Sequence, residues 1–151
     1  MRIILAVCVL LVSACGRDVT PAALDPANTA CASCRMNVSD VHFAAQIVAP
    51  GVDPVFFDDL ICLRNYLDQP GLQLPSGAVA FVADHRTGEW ARAADAVFMR
   101  PATIETPMRG GFIAHTSEDS RRQDAATAAG NRATVQDVFG PSGPPNGADR
   151  K

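Results

Sequence analysis

The sequence has few of the features that mark an enzyme or a nucleic-acid-binding protein. Lysine and arginine together number 13 against 16 acidic residues, the formal net charge is −3, and no basic cluster occurs. This charge balance argues against nucleic acid as a partner. No Ser-His-Asp or Cys-His arrangement, phosphate-binding loop or paired-carboxylate motif is evident. These absences predict that the chain is not an enzyme and does not bind nucleic acid.

The first fifteen residues, MRIILAVCVLLVSAC, have the pattern of a secretory leader. One arginine precedes an apolar run over Ile3–Val12, far shorter than the roughly 20 residues that span a bilayer, and two small residues follow. V-S-A-C resembles a bacterial lipobox, which implies cleavage before Cys15 and acylation of that residue. Gly16 instead of aspartate implies sorting to the outer membrane of a Gram-negative bacterium. We therefore expect a periplasm-facing lipoprotein held to the membrane by its lipid anchor; the alternative is an ordinary signal peptide.

Cysteine is scarce and unevenly placed. Of the five cysteines, Cys8 belongs to the leader and Cys15 to the expected lipid anchor, which leaves Cys31, Cys34 and Cys62. An odd number of thiols in an oxidising compartment leaves at least one of them unpaired or acting as a ligand.

The rest of the chain alternates between strand-like and helix-like patterns. We predict helices over 58–69 and 117–130, and strands over 42–49, 55–57, 79–84, 89–99 (interrupted), 110–116 and 132–139. The first helix is expected to begin at Asp58 or Asp59 as N-cap, and the second at Ser117.

The order strand, strand, helix, strand occurs twice in this prediction. It indicates an α+β protein built from two small ββαβ units, each too small to bury much core unless they pack together. The predicted organisation is a signal peptide over 1–14, a lipidated N-terminus and linker over 15–28, a first unit over 29–87, a second over 88–139 and a disordered tail over 140–151.

The segment CASCRM, residues 31–36, has the richest chemistry in the sequence. Its Cys-x-x-Cys pair is compatible with a redox dithiol, half of a zinc site or a structural disulfide. Met36 adds a fourth interpretation, because thiolate and thioether sulfur together select Cu(I) over harder ions. On an extended chain Cys34 and Met36 would place their side chains on the same face. The residues by themselves leave all four interpretations open.

Four segments in the same order resemble the NosL family, the nitrous oxide reductase accessory lipoproteins. They are CASCRMNVSDVHFAAQIV, FFDDLICLRNYL, VADHRTGEWARAADAVFM and TPMRGGFIAH, and together they extend over roughly residues 28–116. The resemblance implies a periplasmic lipoprotein that binds Cu(I) and delivers it to apo nitrous oxide reductase for its copper centres. It also implies two ββαβ units in a fold related to that of organomercurial lyase. The upstream copper donor stays unknown.

The resemblance also assigns candidate copper ligands. Cys34 and Met36 match the family's Cys-x-Met, Cys31 is a second-tier ligand, and Met108 in TPMRGG would close the site from the second unit. Asp58 and Asp59 match a Phe-Asp-Asp motif, where helix capping is favoured over binding of a second, harder metal. Cys62, among leucine and isoleucine in the first predicted helix, is expected to be a buried inert thiol.

The sequence departs from the family pattern at three positions. Arg35 and Arg109 stand where the family often has glycine, and His115 stands where it usually has an apolar residue. We expect His115 to be a strand residue facing solvent, with an extra metal ligand as the alternative, and His42 and His85 to be weak candidates as ligands. The alternative function is a periplasmic thiol–disulfide oxidoreductase in which Cys31 and Cys34 cycle.

Overall fold

The structure is a computed structural model that describes residues 18–148. The predicted signal peptide and the lipidation site at Cys15 lie outside these residues. Within the described part of the chain, no helix is both long and apolar enough to cross a membrane.

The first half of the chain forms an antiparallel sheet with one helix on it. Its strands are β1 (Ala45–Val48), β2 (Val55–Phe57), β3 (Val79–Ala83) and β4 (Trp90–Arg92). Their spatial order is β2-β1-β3-β4, and each neighbouring pair is antiparallel. The helix α1 (Leu60–Leu67) connects β2 to β3 and buries Leu60, Cys62 and Leu63.

The second half forms a smaller sheet with two short α-helices, and the first four of these elements are in the order strand, strand, helix, strand, as in the first half. Its strands are β5 (Val97–Pro101), β6 (Ile113–His115) and β7 (Gly130–Ala133), in the spatial order β6-β5-β7, and all pairs are antiparallel. The helix α2 (Glu118–Gln123) lies between β6 and β7 in the chain, and the short helix α3 (Val135–Phe139) follows β7.

Both faces of the four-stranded sheet are covered, which explains why every residue of β3 is buried. Ala80 and Val82 belong to the main core, together with residues of α1, β5 and α3. On the other face, Ala83 packs in a smaller cluster that includes Leu24. Gln46 of β1 holds the chain at Ala22, two residues before Leu24. Its side-chain amide accepts from the Ala22 N–H at 2.8 Å and donates to the Ala22 carbonyl at 3.2 Å.

The two sheets meet at the end of β3. Asp84 forms a parallel bridge with Ala114, and the backbone N–H of His85 donates to the Ala114 carbonyl at 2.8 Å. The Asp84 side chain is fully buried, and one of its oxygens accepts from the backbone N–H and the hydroxyl of Thr116, at 2.7 and 2.9 Å. Its other oxygen accepts from the backbone N–H of Arg86 at 2.9 Å. One carboxylate therefore joins β3 of the first sheet to the end of β6 in the second.

The α+β prediction is confirmed, and so are several individual elements. The strand over 55–57 is found as predicted, and Asp59 and Ser117 are the N-caps of α1 and α2. The interrupted strand over 89–99 is divided into β4 and β5. Because β4 pairs with β3, the residues at the start of the predicted second unit complete the first sheet.

Other local predictions were wrong or incomplete. The stretch 42–49 does not begin as strand, since Val41–Phe43 is a 3-10 turn, and the second helix ends at Gln123. The end of the predicted strand over 132–139 is the helix α3, because Thr134 and Asp137 form a capping box. In the predicted tail, residues 145–147 run beside β3, where the Pro145 carbonyl accepts from the Ala80 N–H at 2.8 Å.

Replacing Asp84 with asparagine should lower the free energy of unfolding by about 2–3 kcal/mol at pH 7, because charge-assisted hydrogen bonds to a buried carboxylate would be lost. Burial alone would raise the pKa of Asp84, but donors on Thr116, Ser120 and Arg86 hold it well below its usual range. The carboxylate therefore stabilises the fold above about pH 4, and this contribution is lost as the pH falls further.

Urea denaturation at pH 7 and pH 3 tests this prediction, and the difference between wild type and Asp84→Asn should shrink at the lower pH. Asp68→Asn is the matched control, since the Asp68 side chain is 60% exposed and meets only Arg64, at 3.5 Å. The control should stay within about 0.5 kcal/mol of wild type. Equal stability of Asp84→Asn and wild type at pH 7 would contradict the role given to this carboxylate.

Candidate metal centre

The CASCRM segment forms a closed loop. Ala30 and Asn37 form an antiparallel bridge at its base, and the Cys31 N–H donates to the Met36 carbonyl at 2.7 Å. Arg35 has a φ of 67°, and its N–H donates to the Cys31 carbonyl at 3.0 Å. The extended geometry expected for the stretch between Cys34 and Met36 is therefore not found, because the chain turns between them.

Three cysteine side chains converge beside this loop. The sulfur atoms of Cys31, Cys34 and Cys62 all lie within 4.8 Å of one another, and none of the three forms a disulfide. Cys31 and Cys62 are buried, whereas Cys34 is partly exposed. The loop reaches α1 because the Ala32 N–H donates to the carbonyl of Phe56 in β2, at 2.9 Å.

Cys62 is buried, as expected, and its sulfur lies beside those of the CASCRM pair. It lies in the first turn of α1, three residues after the cap at Asp59, and Asp59 Oδ1 accepts from the Ile61 N–H at 2.9 Å. Spacing along the chain gave no sign of this contact, because it depends on how the loop docks onto β2. The odd number of thiols was the available signal that a third cysteine had a role.

The three thiols differ in acidity. Burial would raise the pKa of Cys31, but the backbone N–H groups of Cys34, Asp58 and Ser33 point at its sulfur and hold the pKa below the ordinary value. Burial raises the pKa of Cys34, although the Met36 N–H partly opposes this effect. Burial and the neighbouring Cys31 raise the pKa of Cys62 strongly. Cys31 is thus the thiol most readily present as a thiolate.

This arrangement has the chemistry of a site for a soft metal ion. Three sulfur donors surround one point, and thiolate ligands favour Cu(I), zinc and iron–sulfur clusters over harder ions. Within residues 18–148, no histidine or carboxylate belongs to this group. Because Cys34 and Cys62 have raised pKa values, a metal that binds all three sulfurs must displace protons from these two thiols.

The two predicted methionine ligands lie in different surroundings. The Met36 side chain is 50% exposed, and its backbone N–H faces the Cys34 sulfur. Met108 is partly buried against the main core. The structure therefore brings Cys31 and Cys34 together with Cys62, while Met36 lies on the loop that carries the first two.

The TPMRGG loop, residues 106–111, is attached to the start of α1. Asp59 Oδ2 accepts from the Thr106 hydroxyl at 2.5 Å and from the Met108 N–H at 2.9 Å. Gly110 fits there because a Cβ atom at this position would lie 2.8 Å from the Cβ of Ile61. Met108 is thus held against the same helix end that carries Cys62.

The two acidic residues of the Phe-Asp-Asp segment have structural partners. Asp59 caps α1 and holds the TPMRGG loop, as described above. Asp58 is buried, and its Oδ1 accepts from the N–H and the hydroxyl of Ser39, at 2.7 and 3.0 Å. These contacts agree with the preference for a structural role over direct metal binding.

Arg35 and Arg109 share an unusual backbone conformation. Among residues 18–148 they are the non-glycine residues with positive φ, at 67° and 56°. Left-handed backbone is costly for a residue with a Cβ atom and is readily adopted by glycine. The two positions where the NosL pattern often has glycine are therefore the two where this structure favours it.

His115 is not the solvent-facing residue that we expected. It is fully buried at the end of β6, and its Nε2 lies 2.9 Å from Asp124 Oδ2. His85 contacts the same oxygen through its Nδ1, at 2.7 Å.

Comparisons with models of known protein families, with curated proteins and with solved structures gave no match to this chain. The resemblance to the NosL family therefore depends on the four sequence segments given above.

Replacing Arg35 or Arg109 with glycine should stabilise the protein by about 1 kcal/mol each, or roughly 3–5 °C in melting temperature. Relief of left-handed strain, about 1–2 kcal/mol, exceeds the extra conformational entropy of glycine in the unfolded chain. Arg122→Gly is the matched control, because Arg122 lies within α2 and should lose about 1 kcal/mol on the same substitution. Thermal unfolding of the three variants tests this, and destabilisation of both loop variants would contradict the strain argument.

Proposed function

We propose that this chain is a Cu(I) chaperone of the NosL type. It is an exported, lipid-anchored protein that faces the periplasm and delivers copper to apo nitrous oxide reductase, without enzymatic activity of its own. The observation that carries the proposal is the convergence of Cys31, Cys34 and Cys62, whose sulfur atoms lie within 4.8 Å of one another. The recipient comes from the family resemblance.

The number and softness of the donors support Cu(I) over zinc. A structural zinc site takes four protein ligands in tetrahedral geometry, whereas the group in the described residues contains three sulfurs and no nitrogen or carboxylate oxygen. Cu(I) is soft and accepts low coordination numbers. The nearby methionines offer neutral thioether sulfur, which suits Cu(I) and is a poor ligand for zinc.

The pattern of acidity and exposure argues against the alternative, a thiol–disulfide oxidoreductase. The attacking thiol in such a protein needs both a thiolate and access to its substrate. Here the two properties belong to different residues, since Cys31 has the lowered pKa and is buried, whereas Cys34 is accessible and has a raised pKa. A buried thiolate beside two further thiols is better suited to holding a metal.

The same distribution suggests how copper is released. Cys31 and Cys62 are buried and would retain the ion, while Cys34 and the half-exposed Met36 lie on the accessible side. Ligands of a recipient would replace Cys34 and Met36 first. Cys34 is therefore the proposed exchange ligand, although the sequence had made Cys31 the second-tier ligand. Met108, held at the start of α1 by Asp59, is the proposed ligand from the second half of the chain.

Two further observations support the relation to the NosL family. The order strand, strand, helix, strand occurs in each half of the chain, as in the arrangement of two ββαβ units that the family implies. Arg35 and Arg109 have left-handed backbone at the positions where the family often has glycine.

Replacing any one of the three cysteines with serine should weaken Cu(I) binding by at least about 100-fold. Changing a residue that only hydrogen-bonds to a metal ligand already costs about 10–100-fold in affinity, and loss of a direct ligand should cost more. Anaerobic titration of the reduced full chain against a chromogenic Cu(I) chelator measures this affinity. Ser33→Ala is the matched control within the loop. Circular dichroism checks that each variant is folded.

Three outcomes of these measurements would contradict the proposal. Unchanged Cu(I) affinity in Cys62→Ser would show that Cys62 is not a copper ligand. Displacement of the bound Cu(I) by an equal concentration of Zn²⁺ would identify a zinc site. Absence of Cu(I) binding, together with reversible oxidation of Cys31 and Cys34, would favour the oxidoreductase.

Replacing Met36 or Met108 with leucine should slow copper transfer to apo nitrous oxide reductase by about tenfold while Cu(I) affinity changes less than in the cysteine variants. The physical reason is that a neutral thioether binds more weakly than a thiolate and serves in exchange. The copper absorption of the recipient reports the rate. Met99→Leu, in the buried part of β5, is the control, and transfer at the wild-type rate in both test variants would exclude the methionines.

A further inference from the structure

A second cluster of metal-ligating side chains lies where the two sheets meet. It contains His85 after β3, His115 at the end of β6 and Asp124 after α2, so three separate elements contribute to it. Asp124 Oδ2 lies 2.7 Å from His85 Nδ1 and 2.9 Å from His115 Nε2. One carboxylate oxygen therefore meets a nitrogen of each ring, and the three donor atoms lie within 4.8 Å of one another.

The surrounding structure fixes the three side chains in place. Asp124 Oδ1 accepts from the Ala126 N–H at 2.9 Å, which leaves Oδ2 directed at the two rings. The His85 ring packs edge to face against Phe43, with centroids 5.1 Å apart. The backbone of His85 is held on β6 by its hydrogen bond to the Ala114 carbonyl, at 2.8 Å. Ligand atoms that are held in this way need little reorganisation to bind an ion.

The buried histidine and carboxylate of this cluster would cost free energy if their role were only to fill space in the core. His115 is fully buried, and its Nδ1 has no hydrogen-bond partner among the residues that the structure describes. Burying a polar ring without full hydrogen bonding costs free energy, which an apolar residue at this position would avoid. Its neighbours in β6, Ile113 and Ala114, are buried and apolar, and an apolar residue would be compatible with such surroundings.

We propose that His85, His115 and Asp124 form a second metal site, for a divalent cation of the Zn²⁺ type. Two imidazole nitrogens and one carboxylate oxygen are a common three-ligand set for zinc, with the fourth position left to water or another ligand. The His85 and Asp124 side chains are 15% and 9% exposed, so the ion would enter from their side. The proposal is independent of copper binding by the cysteines.

The observed distances require only a small adjustment on binding. Tetrahedral ligands with bonds of about 2.0–2.1 Å lie about 3.3 Å from one another. The nitrogen–oxygen distances of 2.7 and 2.9 Å would therefore open by roughly half an ångström when an ion binds between these atoms. Donor type distinguishes the two sites, because this one offers nitrogen and oxygen whereas the other offers sulfur, which favours softer ions such as Cu(I).

The test uses Co²⁺ as a spectroscopic probe for the full chain under reducing, anaerobic conditions. Co²⁺ bound by nitrogen and oxygen gives visible d–d bands without the ultraviolet thiolate charge-transfer bands that the cysteine site would add. We expect a d–d signal that Zn²⁺ displaces at one equivalent. Asp124→Asn and His85→Gln should each weaken binding of both ions by at least about 100-fold.

Asp119→Asn is the matched control, because it removes one carboxylate from α2 at a side chain that is 74% exposed. It should bind Co²⁺ and Zn²⁺ as wild type does. Asp124→Asn can also disturb the chain near Ala126, so His85→Gln serves as the second variant, and circular dichroism checks the folding of both. The proposal would be overturned if folded wild type gave no thiolate-free signal, or if folded His85→Gln kept that signal at the wild-type affinity.

Discussion

The carboxylate of Asp59 joins the start of α1 to the TPMRGG loop of the second half of the chain. One of its oxygens caps the helix at Ile61, and the other accepts from Thr106 and Met108. Because the cap fixes the first turn of α1, it also fixes Cys62 in that turn. The same side chain thus determines where the third sulfur lies and where the second half of the chain meets the first.

Its neighbour Asp58 holds the CASCRM loop in place. Its backbone N–H points at the Cys31 sulfur, and its side chain holds Ser39 just beyond the loop. Phe56, two residues earlier, binds the Ala32 N–H and docks the loop onto β2. The segment from β2 into α1 therefore positions all three thiols, and the acidity of Cys31 follows from the N–H groups that this arrangement aims at it.

Local patterns predicted the fold class and many of the elements, whereas both clusters of ligands depended on contacts between distant segments. The apolar run of β3 and the cap at Asp59 could be recognised because their signals lie within a few residues. The stretch 132–139 was predicted as a strand, but the capping box formed by Thr134 and Asp137 makes its end the helix α3. Cys62 was expected to be inert and His115 to face solvent, because neither the CASCRM loop nor His85 lies near them in the sequence.

Copper K-edge X-ray absorption of the Cu(I)-loaded chain measures whether the three cysteines hold one soft metal ion through sulfur alone. We expect one copper per chain with a first shell of about three to four sulfur atoms, from the cysteines and a methionine, and no nitrogen or oxygen at bonding distance. A first shell dominated by nitrogen or oxygen, or one that is unchanged by loss of all three thiols, would contradict this expectation.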